Sequence, residues 1–468
     1  MFSGIALVLA FALLLVPLAV YAGPPVLKAL SGTAPERQTA VPSYQRPPAA
    51  VEENPVVRPA DPQAPLPNPA VLGPLLDAEL VFAGSGTVSA VGSDARTGTV
   101  LYERSPEAAG MPASTLKILT GAAAALTLDP ESRFKTTVHA SQEDGGTVLT
   151  LRGGGDVLLG SDASNEDAVV GRAGLASLAE EALGNLGAAP GTVRVQVDDT
   201  AFTGPALSPA WNEADVDAGE IAPVYSLAVN SAWLDESRQG GERSDDAALA
   251  AAAAFRSALA GAADSAGITV EEDVTRGTVP GGAREVAAAE SATVAEQIEQ
   301  MLLVSDNYLA EALGRSAAAA SGREASFEGA TAAVAAEIAG LGVDTSGMSL
   351  ADVSGLASEN SVTARQLTQT VQKVLESGED GLRAVARGLP VAGLSGTLQG
   401  RYGDGAAGLV RAKTGTLLAV TALSGYVTDA DGRLLSFTLL ARDLDGNTAE
   451  ARAAVDNAAA VLAGCGCR

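Results

Sequence analysis

Histidine is all but missing from this chain, with His139 the only one in 468 residues. A Ser-His-Asp hydrolase would have to rely on it, yet it lies in the strand-like run Phe134-Lys-Thr-Thr-Val-His139, so histidine-based activation of a nucleophile is disfavoured. Cysteine is nearly as scarce. Cys465 and Cys467 are the only two, and they sit too close in sequence for an easy mutual disulfide. With one histidine they cannot assemble the His and Cys clusters of common zinc sites, nor a Cys-x-x-Cys redox pair, so no metal or cofactor is expected. Lysine is the third shortage: of 30 basic residues only Lys28, Lys117, Lys135, Lys373 and Lys413 are lysines. Arginine serves wherever charge suffices, but it cannot deprotonate at a useful pH, so a base must be lysine. Base is also outweighed by acid, 56 to 30, and the net charge of −26 makes nucleic acid an unfit partner.

What is present is a globular chain with 47% apolar residues. Ile5 to Ala22 is apolar throughout apart from Pro17, and residues 1–22 read as a signal peptide or membrane anchor, with Val20-Tyr21-Ala22 as a small-residue cleavage site. Residues 23–75 read as a proline-rich linker, since 13 of the 23 prolines lie between Pro24 and Pro74. Such chain favours extended geometry at about 3.1 Å per residue and is not expected to pack as helix or sheet. The head that follows is placed outside the cytoplasm, secreted or held to the cytoplasmic membrane by the uncleaved segment.

Thr87 to Tyr102 gives two alternating runs around a glycine-containing turn, which predicts a β-hairpin. Met111-Pro-Ala-Ser-Thr-Leu-Lys117 then opens an Ala- and Leu-rich helix near Ala113 or Ser114. Ser114 and Lys117 stand at i and i+3 and share a face. Apolar neighbours Leu116, Ile118 and Leu119 lower the lysine pKa by burial, and a neutral amine beside a serine is a base that needs no histidine.

Ser305-Asp306-Asn307 sits between two helical runs, Val294 to Val304 and Tyr308 to Leu313, and puts a hydroxyl and an amide on a loop between helices. Lys413-Thr414-Gly415-Thr416 lies in a strand-like run. Thr414 and Thr416 share a strand face, Gly415 admits another backbone, and Lys413 supplies charge. Taken singly, the three read more readily as a surface lysine, a helix cap and a strand with a glycine.

Ser-x-x-Lys, Ser-Asp-Asn and Lys-Thr-Gly in this order form the signature of class A β-lactamases and penicillin-binding proteins. The chain resembles a low-molecular-mass penicillin-binding protein of the serine D-Ala-D-Ala carboxypeptidase and endopeptidase family with an insertion in its catalytic domain. The resemblance runs over residues 76–468, through Gly153-Gly-Gly-Asp156, Asp198-Asp-Thr-Ala-Phe202, Ser305 to Glu311, Asp352-Val-Ser-Gly-Leu356 and Gly393-Leu-Ser-Gly-Thr-Leu398. Val353 and Ala357 depart from the family's Asp-Gly-Ser-Gly-Leu-Ser. Between Lys117 and Ser305 lie 187 residues, far more than in class A β-lactamases, which implies an inserted domain. No Glu-x-x-Leu-Asn motif occurs between Asn307 and Lys413, which disfavours rapid β-lactam hydrolysis.

The fold so implied is α/β (α+β): a β-lactamase/transpeptidase-like catalytic domain, an antiparallel sheet with helices, over 76–140 and 286–468, split by a smaller α/β domain at 141–285. Thr147 to Leu151 and Val193 to Val197 read as strands of the insert and Ala247 to Ala260 as its helix. Tyr225 and Trp233 read as packing residues rather than a substrate rim. The resemblance assigns Ser114 as nucleophile, Lys117 as base, Ser305 as proton relay, Asn307 as binder of the substrate amide and Lys413 as local positive charge. It makes Thr414, Gly415 and Thr416 the substrate-binding strand, with an oxyanion hole from the N–H groups of Ser114 and Thr416. Expected partners are peptidoglycan peptides and, as covalent inhibitors, β-lactams. A β-lactamase or esterase on the same fold, and an idle wall-binding protein, are the competing readings.

Overall fold

The computed structural model describes residues 61, 63–143, 146–187, 191–237, 240–263, 267–403 and 405–467. The expected signal or anchor at 1–22 and most of the linker lie outside them. Along the chain come α1 (Pro69–Glu79), β1 (Thr87–Asp94), β2 (Val100–Arg104), a 3-10 turn (Ala113–Leu116) and α2 (Lys117–Thr127). Next are β3 (Arg133–Glu143), β4 (Gly146–Gly153), α3 (Leu175–Leu186), β5 (Thr192–Asp198), α4 (Glu213–Asp217), α5 (Ala247–Ala263), β6 (Thr269–Arg276) and β7 (Arg284–Thr293). The chain closes with α6 (Val294–Val304), α7 (Asn307–Ala320), α8 (Phe327–Gly340), α9 (Ala364–Glu376), α10 (Asp380–Gly388), β8 (Val410–Leu417), β9 (Val420–Thr428), β10 (Leu434–Arg442) and α11 (Thr448–Gly464).

The first sheet has the order β2-β1-β10-β9-β8 and is antiparallel throughout. Its strands are buried on both faces because helices cover both. Leu435, Phe437 and Leu439 of β10 pack with Leu72 and Leu76 of α1 and Val455 and Leu462 of α11, while Leu440 joins the helical core around α2. α2 is buried from Lys117 to Ala125, so its Ala and Gly residues let neighbouring helices close on every side. It carries the first motif from the surface into the middle of the molecule.

The second sheet, β6-β5-β4-β3-β7, is mixed, with β4, β5 and β6 parallel and β3 antiparallel to both its neighbours. α3 and α5 cover it through Leu178, Ala182, Phe255 and Leu259. Its β3/β7 ladder starts at the pair Arg133↔Thr293, so the sheet begins before 141 and ends after 285. These flanks pair with each other across more than a hundred residues, which local composition does not register.

Two expectations need correction. Residues 69–75, read as the end of a non-packing linker, are helical: Pro69 occupies the first turn, where its missing N–H costs nothing, and Asn68 Oδ1 caps Ala70 N at 3.0 Å. Leu72, Leu76 and Leu80 then recur on one face and bury fully. Cys465 and Cys467, read as too close to pair, do form a disulfide. Their Cα atoms are 5.0 Å apart, shorter than an extended two-residue step and within the span a disulfide bridges. Cys467 O accepts from Asn68 N at 2.7 Å and ties this tail to the start of α1.

Candidate active site

Ser114 sits in the 3-10 turn and Lys117 is the first residue of α2, so their side chains share one face. Two glycines let other backbones reach this turn. A Cβ on Gly355 would stand 2.0 Å from Ala113 O, and one on Gly415 would stand 3.1 Å from Ser114 N. Gly355 also has φ +85°, so a side chain there is excluded twice over. β8 therefore runs beside the Ser114 backbone.

Lys117 is fully buried. Its Nζ lies 3.1 Å from Ser114 Oγ, 2.6 Å from Asn307 Oδ1 and 2.7 Å from Ser354 O. Burial lowers its pKa to about 8, against the opposing pull of Asp352, Asp306, Glu311 and Glu220. A neutral amine has two N–H donors and one lone pair. Asn307 and Ser354 supply two close acceptors for the N–H groups, which leaves the lone pair for the longer contact, with the Ser114 hydroxyl.

Ser305 closes α6 in the left-handed region at φ 64°, a conformation unusual for a residue with a side chain. Asp306 is the N-cap of α7 and accepts from Tyr308 N at 2.9 Å, so its capping role is structural. Asn307 opens α7 rather than lying on the loop. Its Nδ2 donates to Glu220 O at 2.9 Å, which fixes the amide orientation that presents Oδ1 to Lys117.

Lys413, on β8, donates from Nζ to Ser305 Oγ at 2.8 Å and to Thr414 O at 2.9 Å. Burial, with Lys117 nearby, drives its pKa well below the ordinary lysine range. Lys117 feels four carboxylates, whereas burial of Lys413 is opposed by none among the described residues. An anion arriving at Thr414 is thus what would restore the Lys413 charge. Thr414 Oγ1 donates to Thr397 Oγ1 at 2.7 Å, and Thr416, two residues on, is exposed. All the motif residues thus converge on one cluster. None of its bonds involves His139, whose Nε2 meets Thr137 Oγ1 within β3 of the second sheet.

Sequence reasoning missed the scaffold beneath Lys117. Asp352 accepts from Gly355 N, Leu356 N, Ala357 N, Asn360 Nδ2, Ser354 Oγ and Trp211 Nε1, all between 2.7 and 3.1 Å. Glu311 lies one turn after Asn307 and accepts at Oε1 from Val353 N at 3.0 Å and Ser354 N at 2.8 Å. Together they hold the Ser354 carbonyl on Lys117. Burial, reinforced by Asp352, lifts the Glu311 pKa to about 8. The signal available was two acids inside apolar motif segments. Val353, which replaces the family's glycine, is accommodated by Gly314: a Cβ there would meet Val353 Cγ2 at 2.6 Å. Val353 and Ala357 both bury in the helical core, away from the cluster.

A cavity of about 280 Å³ opens beside Ser305, Asp306 and Asn307, walled by Glu220, Trp233 and Arg243. The Arg243 guanidinium stacks 3.5 Å from the Trp233 ring centre. Trp233 lines this cavity with Arg243 packed on its ring, while Tyr225 packs between two cores.

The sequence profile of the D-Ala-D-Ala carboxypeptidase 3 (S13) family matches residues 76–243 and 235–463, and the chain belongs to that family. Its relatives include carboxypeptidase DacB of Mycolicibacterium smegmatis, 38% identical over 427 residues, 90% of this chain and 89% of that protein. A carboxypeptidase of Mycobacterium tuberculosis is 38% identical over 381 residues, 80% of each chain. Penicillin binding protein 4 of Haemophilus influenzae shares the fold, with a TM-score of 0.64 at 22% identity over 82% of this chain and 96% of that one.

Proposed function

We propose that the chain is a serine D-Ala-D-Ala carboxypeptidase that cleaves peptidoglycan stem peptides through an acyl-enzyme on Ser114. The observation that carries this is the fully buried Lys117, with its pKa near 8 and its Nζ 3.1 Å from Ser114 Oγ. Neutral Lys117 takes the hydroxyl proton as Oγ attacks the penultimate D-Ala carbonyl. The oxyanion is met by the N–H groups of Ser114 and Thr416, a contribution of about 3 kcal/mol per donor in comparable sites. Ser305 passes a proton to the departing amine. Asn307 orients the substrate amide, and Thr414 and Thr416 hold the terminal carboxylate, whose charge keeps Lys413 protonated. Water then hydrolyses the ester and returns the proton through Lys117.

The peptide would add as a strand to the end of β8 beyond Ala412, past the stretch where residues 390–392 already pair with this edge of the first sheet. β-Lactams would acylate the same serine, a reading supported by analogy with penicillin binding protein 4 of Haemophilus influenzae, which forms a complex with a β-lactam. Residues 76–140 and 286–468 are assigned to catalysis and 141–285 to an inserted domain, whose sheet takes β3 and β7 across both boundaries. The relatives' role as carboxypeptidases supports action outside the cytoplasm, with residues 1–22 as export signal or anchor. The direct test is D-Ala release from a peptide ending in D-Ala-D-Ala: it should be present in the wild type and absent in a folded Ser114→Ala variant.

A further inference from the structure

Behind the motif loop Ser305-Asp306-Asn307 stands a second cluster, drawn from the segment between β5 and β6. Its centre is Arg243, whose side chain is 4% exposed. The guanidinium donates from Nε to Gly219 O at 2.8 Å and from Nη1 to Ser231 O, and its Nη2 stands 3.8 Å from Asp306 Oδ1. Its flat face lies on the Trp233 ring, and an antiparallel bridge between Trp233 and Arg243 fixes the backbone beneath. One rigid fork thus ties three separate pieces of chain, a task that lysine cannot perform.

Both carbonyls held by Arg243 belong to segments that hold the motif loop in turn. Gly219 precedes Glu220, whose carbonyl accepts from Asn307 Nδ2 at 2.9 Å. Ser231 donates from Oγ to Asp306 Oδ2. The backbone is strained where these segments meet the loop: Asn230, Ser231 and Ala232 are left-handed at φ 38°, 54° and 67°, and Ser305 at 64°. None is a glycine, and such conformations persist only where the surroundings over-determine them. Asn230 N and Ser231 N are held by Leu159 O at 3.0 Å and Val157 O at 2.7 Å. Arg243 supplies the other half of the restraint, at Ser231 O.

We propose that Arg243 is a positioning residue for acyl transfer, clamping the Ser305-Asp306-Asn307 loop from behind and offsetting the charge of Asp306 beside Lys117. The inference rests on the reading of Ser114 as nucleophile and Lys117 as base, and adds a residue outside the three motifs. The clamp sets where Asn307 Oδ1 stands, and with it Lys117 Nζ, 2.6 Å away. In a preorganised site a displacement of about 1 Å costs on the order of 10² in rate. The charge acts separately. Lys117 faces the carboxylates of Asp352, Asp306, Glu311 and Glu220 and the amine of Lys413. Arg243 faces Asp306, Glu220 and Tyr308. Without the guanidinium, Asp306 and Glu220 act on Lys117 unopposed, which favours the protonated amine and raises the pH at which the base becomes available.

The test follows acylation by benzylpenicillin from about pH 6 to 10 in the full chain, as wild type, Arg243→Met and Arg243→Lys, with folding checked by circular dichroism. Arg243→Met should lower the high-pH plateau by about 10- to 100-fold and move the midpoint upward by about half a pH unit or more. Arg243→Lys keeps the charge and loses the fork, so its plateau should fall by about three- to tenfold while its midpoint stays within about 0.2 units of the wild type. A wild-type plateau in folded Arg243→Met overturns the proposal. A lowered plateau with an unmoved midpoint in that variant makes Arg243 a packing residue only and overturns it too. Should Arg243→Met not fold, Arg243→Lys decides, and a wild-type plateau there overturns the clamp. A wild type that benzylpenicillin does not acylate overturns the reading of Ser114 and Lys117, and this inference with it.

Discussion

Lys117 and Asn307, 190 positions apart in sequence, are joined by a hydrogen bond of 2.6 Å between Nζ and Oδ1. The bond links the start of α2 to the start of α7 at the point where Ser114 is held. Asn307 thereby touches the proposed base as well as facing the proposed substrate site. It occupies one N–H of the lysine and aims the lone pair at the serine. The other motif lysine has different partners, because Lys413 bonds to Ser305 and a backbone carbonyl, and the proposed role for it is electrostatic, regained when an anion binds.

Substituting each lysine by arginine separates these roles. Lys117→Arg keeps the charge and removes the base, so acylation by a β-lactam should fall by about 10² to 10⁴. Lys413→Arg keeps the charge its site needs and should retain measurable acylation, reduced by the bulk of the guanidinium. Rates with a single β-lactam, on variants matched by circular dichroism, make the comparison. Lys117→Arg reacting at the wild-type rate would mean that another residue activates Ser114.

The lysine pKa fixes the direction of the pH profile. Only neutral Lys117 accepts the serine proton, and its pKa near 8 leaves it mostly protonated below that. Acylation should rise about tenfold per pH unit up to about pH 7.5 and level off above about 8.5. Stability follows the same group: the folded pKa lies below the unfolded one, so this contribution is complete above the ordinary lysine value and is lost as pH falls toward 8. Acylation that is flat between about pH 6 and 8 would remove Lys117 as the titrating base.

Glu311 makes the opposite prediction for stability. Its folded pKa, near 8, lies above the unfolded value, so between the ordinary carboxyl range and pH 8 the folded state holds a proton the unfolded chain has lost. Stability therefore falls as pH rises through that window, by up to about 1.4 kcal/mol per unit. Glu311→Gln mimics the protonated acid, keeps an oxygen for Val353 N and Ser354 N, and should abolish this slope while leaving acylation within about threefold. Urea unfolding at about pH 5.5 and 7.5 reads the difference, and equal slopes in both proteins would contradict it.

The parts of this site that could be read from sequence are those whose geometry is local. Ser114 and Lys117 share a face because three residues separate them, and Ser305 to Asn307 sits at a helix junction announced by its capping residues. The Asp352 and Glu311 scaffold was hidden, since their partners are mostly backbone N–H groups, brought to Glu311 from 42 and 43 positions away. The span of the second sheet was illegible for a similar reason: Arg133 and Thr293 define each other only once paired. α1 was concealed by its own prolines, because composition registers Pro69 as a breaker although its position makes it a starter. The Cys465–Cys467 pair needed a backbone that brings the two Cα atoms to 5.0 Å after α11, which no spacing rule supplies.

The central claim, that Ser114 is the nucleophile, is tested most directly by intact-protein mass spectrometry after exposure to benzylpenicillin. The wild type should gain one penicilloyl adduct, mapped by peptide digestion to the segment containing Ser114, and release it slowly. Ser114→Ala should gain none. An adduct that persists in Ser114→Ala, or no adduct on the folded wild type, would contradict the account.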